Sequence, residues 1–90
     1  MITKKNVFSG AGFDYANQAG TCTASGEYRK ENGQFVAISI NGTYDNHGFY
    51  ASRDKDGNIN ISGVASEVLA SVAAEVVNIV TEVIAAEENE

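Results

Sequence analysis

The stretch Val64-Ala65-Ser66-Glu67-Val68-Leu69-Ala70-Ser71-Val72-Ala73-Ala74-Glu75-Val76-Val77-Asn78-Ile79-Val80-Thr81-Glu82-Val83-Ile84 decides the fold. Valine is a mediocre helix former, and so many β-branched residues invite a strand reading. The period rejects it. Alternation fails at Val76-Val77 and again at Ile79-Val80. At about 100° per residue, Val64, Val68, Leu69, Val72, Val76, Ile79, Val80, Val83 and Ile84 fall on one broad face, and Val77 widens it. Glu67, Ser71, Glu75, Asn78 and Glu82 take the opposite face. The spacing predicts one amphipathic helix over about 63–86, with Ser62 as its N-cap. Residues 87–90 form an acidic tail. The helix dipole disfavours anions at that end, so the tail is expected to fray.

Upstream the pattern changes to period two. Thr21, Thr23 and Ser25 alternate with Cys22, Ala24 and Gly26. Asn32-Gly33 is the strongest short hairpin signal, because both residues tolerate positive φ. A strand over 34–43 then puts Val36, Ile38 and Ile40 on one face and Phe35, Ala37 and Ser39 on the other. Tyr44-Asp45-Asn46-His47-Gly48 reads as a turn and residues 49–53 as a strand. Asp54-Lys55-Asp56-Gly57-Asn58 reads as another turn, before a short strand over 59–61. Residues 1–20 are breaker-rich at Gly10-Ala11-Gly12 and Asn17-Gln18-Ala19-Gly20, and one ragged strand over 7–15 is expected there. A recurring Gly-x-Tyr at Gly26, Gly42 and Gly48 is too short and uneven for a repeat architecture, and is read as aromatics beside sharp bends.

Ninety residues make one domain, 1–90. The fold class is α+β: an antiparallel meander of four to five strands over about 6–61, with the C-terminal helix packed on one face. A helix over 63–86 is about 36 Å long. Four strands of about six residues cover only about 20 Å each way. The helix end at Val80, Val83 and Ile84 is therefore expected to overhang the sheet, and either to fray or to meet a second copy of the chain, a homodimer. Glu75 and Glu82, on the acidic face, are further interface candidates.

The formal charge of −6 is unevenly distributed. All six Lys and Arg lie in residues 1–55, against five Asp and Glu; residues 56–90 hold seven acidic residues and no basic one. Nucleic-acid binding runs on Lys and Arg neutralising phosphates, so direct binding is not expected. Mimicry of DNA by the helix is also too sparse. Glu67, Glu75 and Glu82 place three charges on about 22 Å, where a duplex carries about 13. Glu67, Glu75 and Glu82 also interrupt the apolar run, so no membrane span is expected. One cysteine, Cys22, makes no intrachain disulfide, and no apolar run follows Lys4-Lys5, so a cytoplasmic location is expected.

The motifs that carry chemistry are few. Asp54, Asp56 and Asn58 match the first, third and fifth positions of a calcium loop, but Ile59 stands where that loop needs Gly and Ala65 where it needs its bidentate Glu. A polar hairpin turn is the stronger reading. His47 falls in a turn, and Cys22 alternates like a buried strand cysteine. A single His and a single Cys exclude a classical zinc site within one chain. Tyr28, Tyr44 and Tyr50, with Phe35 and Arg53, are candidates for an aromatic patch on the uncovered sheet face.

These readings favour a small, non-enzymatic, acidic interaction protein without cofactor: an inhibitor or adaptor that engages a basic protein surface, such as that of a nucleic-acid-binding protein. Compact acidic proteins made by phages against host defences are similar in size and character. The alternatives are a homo-oligomeric structural protein and a calcium-binding module at Asp54, Asp56 and Asn58.

Overall fold

A computed structural model describes residues 2–7 and 10–88. It forms a six-stranded antiparallel sheet in simple sequential order, followed by one helix. The strands are β1 (Ile2–Val7), β2 (Gly10–Ala16), β3 (Cys22–Glu31), β4 (Gln34–Tyr44), β5 (His47–Asp54) and β6 (Ile59–Ser62). A 3-10 turn at Ser66–Val68 leads into α1 (Leu69–Glu88). The α+β meander with a C-terminal helix is thus the architecture of the chain.

The turns follow from local chemistry. Asn32 and Gly33 both have positive φ and close the β3–β4 hairpin. Asp45 and Asn46, at φ 48° and 67°, close β4–β5 as a two-residue turn between Tyr44 and His47. Asp and Asn are the non-glycine residues that best tolerate this region. The turn is therefore tighter than the five residues its composition suggests.

The first twenty residues hold two strands where one was expected. β1 pairs with β2 from Ile2–Tyr15 to Val7–Gly10, and β2 pairs on its other side with β3. Hydrogen bonding from both neighbours overrides the weak strand propensity of Gly10 and Gly12.

The core lies between the sheet and α1. Phe13, Tyr15, Cys22, Ala24, Tyr28, Ile38, Ile40, Phe49 and Ala51 form one buried cluster with Val72, Val76, Ile79, Val80 and Val83. Gly26 and Gly42 make room within it. A Cβ on Gly26 would overlap the Ser39 carbonyl and lie 2.8 Å from Phe13 Cζ. One on Gly42 would lie 2.8 Å from Phe49 Cζ. Each glycine sits mid-strand with a phenyl ring from the adjacent strand across it. Two of the Gly-x-Tyr signals are therefore ring seats rather than bends.

A register shift between Arg29 and Lys30 pairs Lys30 with Phe35 and Arg29 with Ala37, leaving Val36 as the extra residue. The bulge brings Phe35 onto the core side, 5.6 Å from the Tyr28 ring, with the Lys30 ammonium 5.3 Å from its own ring centre. The expected face of Val36, Ile38 and Ile40 therefore holds at Ile38 and Ile40, which are fully buried. Phe35 takes the place assigned to Val36.

The helix begins later than its periodicity suggests. Ser62 ends β6, and Gly63 turns the chain at φ 69°. Ala65 stands at the N-cap of the 3-10 turn with no side-chain hydrogen bond. Leu69 and Val77, assigned to the apolar face, are 45% and 52% exposed. At its other end the helix continues through Glu87 and Glu88; residues 89–90 of the expected frayed tail lie outside the described residues.

The expected overhang is not there. Val80 and Val83 are 7% and 2% exposed, and Ile84 packs against the same core. α1 has 20 residues, about 30 Å. β3 and β4 have 10 and 11 residues, about 33 Å each, and a second N-terminal strand widens the sheet. α1 reaches β1 as well as β4 and β5. The helix is shorter and the sheet larger than the sequence reading assumed. Residues 66–86, with a mean hydropathy of 1.8, are long and apolar enough by length and composition to cross a membrane. In this fold their buried valines and Ile79 belong to the core.

Candidate functional site

A polar network that joins strand, loop and helix lies at one end of the sheet, where β2 turns into β3. Gly20 N–H donates to the Asn17 carbonyl at 3.2 Å, and Asn17 N–H donates to the Cys22 carbonyl at 3.0 Å. The Asn17 side chain then closes the loop from within. Its Oδ1 accepts from Cys22 N–H at 3.1 Å, and its Nδ2 donates to Thr21 Oγ1 at 2.8 Å. Asn suits this position because one amide supplies both an acceptor and two donors.

The second Nδ2 donor reaches the helix, at 3.2 Å from Glu75 Oε2. The other carboxylate oxygen, Oε1, accepts from the Tyr15 hydroxyl at 2.7 Å. Glu75 was placed on the solvent side of the helix; it is half-buried and clamps α1 to β2 and to the loop. Burial, the bond to Glu75 and the charges of Glu75 and Glu82 hold the Tyr15 hydroxyl well above its usual pKa. A second loop is joined on, since Asp45 N–H donates to the Thr21 carbonyl at 2.9 Å. Next to it His47 Nε2 lies 3.5 Å from Glu67 Oε1, a largely exposed pair.

The loops at this end, residues 17–21 and 45–46, and the 3-10 turn with Glu67 display Asp45 and Glu67 and contain no Lys or Arg. Lys4, on β1, lies opposite Phe13, two residues along from the Ile2–Tyr15 pair. The strand pairing sends Arg29, Lys30, Arg53 and Lys55 to the other end, alongside Glu31, Asp54 and Asp56. Four of the six basic residues thus lie at the end of the sheet opposite Asp45.

The other sequence candidates are dispersed. Tyr28 is buried and Tyr44 packs against the core, whereas Tyr50 is 43% exposed on the outer face. They form no common patch. Tyr28 sits in a buried ladder, 6.4 Å from Phe13 on one side and next to Phe35 on the other. Val80 and Val83 are core residues, so a docking role for them is corrected, and Glu82 is half-buried.

The Asp54 carboxylate is occupied by its own turn. Its Oδ1 accepts from Asp56 N–H and Asn58 N–H, both at 2.9 Å, and Gly57 adopts φ 88°. Those bonds, led by that from Asn58, hold the Asp54 carboxyl below its usual pKa. Among the described residues no group of three His, Cys, Asp or Glu is placed to hold a metal ion. Cys22 is fully buried, and burial, with the Glu75 charge, pushes its thiol up to about 11. At neutral pH it is a thiol, not the thiolate a nucleophile needs.

The uncovered sheet face bears a shallow open depression over Thr23, Ser25, Asn41 and Thr43, floored by Gly42. Thr23 Oγ1 and Thr43 Oγ1 stand 3.4 Å apart there. Among the described residues no buried side-chain nitrogen or oxygen lacks a partner.

Sequence reading missed Tyr15 and Asn17. Their partner, Glu75, is 60 and 58 residues away, and no local pattern encodes such a contact. No protein-family model, no curated protein and no solved structure matches this chain.

Proposed function

We propose that this chain is a small non-enzymatic interaction protein that binds a basic protein surface through its acidic loop end, as an inhibitor or adaptor does. The observation that carries the reading is the network joining Tyr15, Asn17, Thr21, Asp45 and Glu75. It fixes two loops against the helix at the end that displays Asp45 and Glu67. Loops held in place before binding lose little conformational freedom on association. Loops without Lys or Arg, on a chain of net charge −6, attract basic surfaces and repel nucleic acid. A basic partner that itself handles nucleic acid fits this chemistry. The burial of Cys22 and its raised pKa weigh against a thiol enzyme. The single unpaired cysteine suits a reducing, cytoplasmic setting.

The test is affinity capture from host extract with the full chain immobilised. Specific basic proteins held at low salt and released at about 1 M salt, where the Debye length shrinks to about 3 Å, support the reading. Capture that is indifferent to salt contradicts it.

A further inference from the structure

The free edge of β6 carries an inference of its own. The turn before it fixes which backbone groups face outward. Asp54 N–H donates to the Asn58 carbonyl at 3.0 Å, and Gly57 N–H to the Asp54 carbonyl at 3.1 Å. Asp54 and Asn58 are therefore a hydrogen-bonded pair, and pairs alternate along an antiparallel ladder. Ser52–Asn60 and Tyr50–Ser62 continue the bonded set, while Arg53–Ile59 and Ala51–Ile61 are non-bonded pairs. The N–H and C=O groups of Ile59 and Ile61 thus point away from β5. Among the described residues no strand pairs with that side.

Natural edges are usually guarded by Lys, Pro, a bulge or an inward charge. Residues 57–63, Gly-Asn-Ile-Asn-Ile-Ser-Gly, contain none of these, whereas the other edge strand, β1, contains Lys4 and Lys5. Ile59 is 37% exposed, one of the few large apolar side chains left to solvent.

We propose that β6 pairs antiparallel with β6 of a second copy of this chain, with Asn60 opposite the partner's Asn60. The edge is self-complementary in that register. Ile59 faces the partner's Ile61 and the reverse, so all the outward donors and acceptors of the two isoleucines are satisfied. Their side chains meet as cross-strand apolar pairs on the helix side of the sheet. The paired segments carry no charge, so two chains of −6 meet at a neutral seam. Four residues per edge make a small contact beside the roughly 1,200 Å² of a standard stable interface. The dimer is accordingly weak and concentration-dependent, and it leaves both acidic loop ends free at opposite poles. The inference is independent of the basic-partner reading.

The experiment combines sedimentation of the full chain at micromolar to millimolar concentration with disulfide trapping. Asn60→Cys at the two-fold axis forms a covalent dimer under mild oxidation. Ser62→Cys, which faces the partner's Asn58, and the wild type with its buried Cys22 do not. Ile59→Pro deletes an outward donor without touching the β5 ladder and abolishes the trapping. Asn60→Lys opposes two cations and weakens dimerisation about fivefold or more. A chain that stays monomeric at millimolar concentration overturns the proposal. So does Asn60→Cys trapping no faster than Ser62→Cys.

Discussion

The Tyr15 hydroxyl donates to Glu75 Oε1 at 2.7 Å, joining the second strand to the middle of the helix across 60 residues of sequence. With Asn17 on the other carboxylate oxygen, this pair makes Glu75 a structural residue rather than part of a solvated acidic face. Tyr15→Phe keeps the ring in the core and removes only the hydroxyl. A hydrogen bond to a charged group contributes about 1.5–3 kcal/mol. Because Glu75 is half-buried and keeps its bond to Asn17, a loss near about 1.5 kcal/mol is expected in urea unfolding. A midpoint equal to wild type would mean that the bond is not made.

Stability should decline on both sides of neutrality. The Tyr15 and Cys22 pKa values are raised by folding, so the stability they contribute is complete below their unfolded values and is lost as pH rises toward the folded ones. For Cys22 that window runs from about 8.5 to about 11. The Asp54 pKa is lowered, so its contribution is present above the unfolded value, about 3.9, and fades as pH falls below that. Urea midpoints at a series of pH values should fall above about pH 9, and Cys22→Ala should flatten the first part of that fall.

The two ring seats should be intolerant of even one methyl group. Gly26→Ala and Gly42→Ala drive a Cβ into the backbone of the adjacent strand and into Phe13 or Phe49. A loss of about 3 kcal/mol or more is expected for each, at the upper end of overpacking costs. Gly48→Ala, with nothing within 4 Å of the added atom, should stay within about 0.5 kcal/mol. Thermal melts of the three variants decide it, and equal melting temperatures would reject the packing described.

Helix substitutions should sort by burial rather than by hydrophobicity. Ile79→Ala removes a fully buried side chain and should cost about 2–5 kcal/mol. Leu69→Ala and Val77→Ala, both about half exposed, should change stability by no more than about 0.5 kcal/mol. Val83→Asp should unfold the chain, because it buries a charge without a partner. A folded Val83→Asp would restore the helix end as an exposed surface.

The helix was legible because its apolar period persists over Val72, Val76, Ile79, Val80 and Val83, all buried. Its start was not, because a backbone turn at Gly63 outweighs the valines on either side. The alternation of β3 and β4 was readable up to Arg29, where the bulge reverses the roles of Phe35 and Val36; nothing in the residue types marks that slip. The one ragged strand over 7–15 covers β2 and leaves β1 unread, because both depend on non-local pairing that residue types alone do not show. The charge division was visible in sequence, but the separation of Arg29, Lys30, Arg53 and Lys55 from Asp45 needed the strand pairing. The loop network needed contacts between residues nearly 60 apart.

The proposed binding end is tested most directly by titrating a captured basic partner with charge variants, at fixed low ionic strength. Asp45→Asn with Glu67→Lys changes the charge of two exposed groups of the loop end, keeps at position 45 a residue that tolerates positive φ, and leaves the Tyr15–Glu75 bond in place. Arg53→Glu with Lys55→Glu, at the opposite end, is the matched control. The account predicts that the first pair weakens binding about tenfold or more, chiefly through a slower association rate, and that the second does not weaken it. Equal affinities for wild type and the Asp45→Asn, Glu67→Lys variant would contradict it.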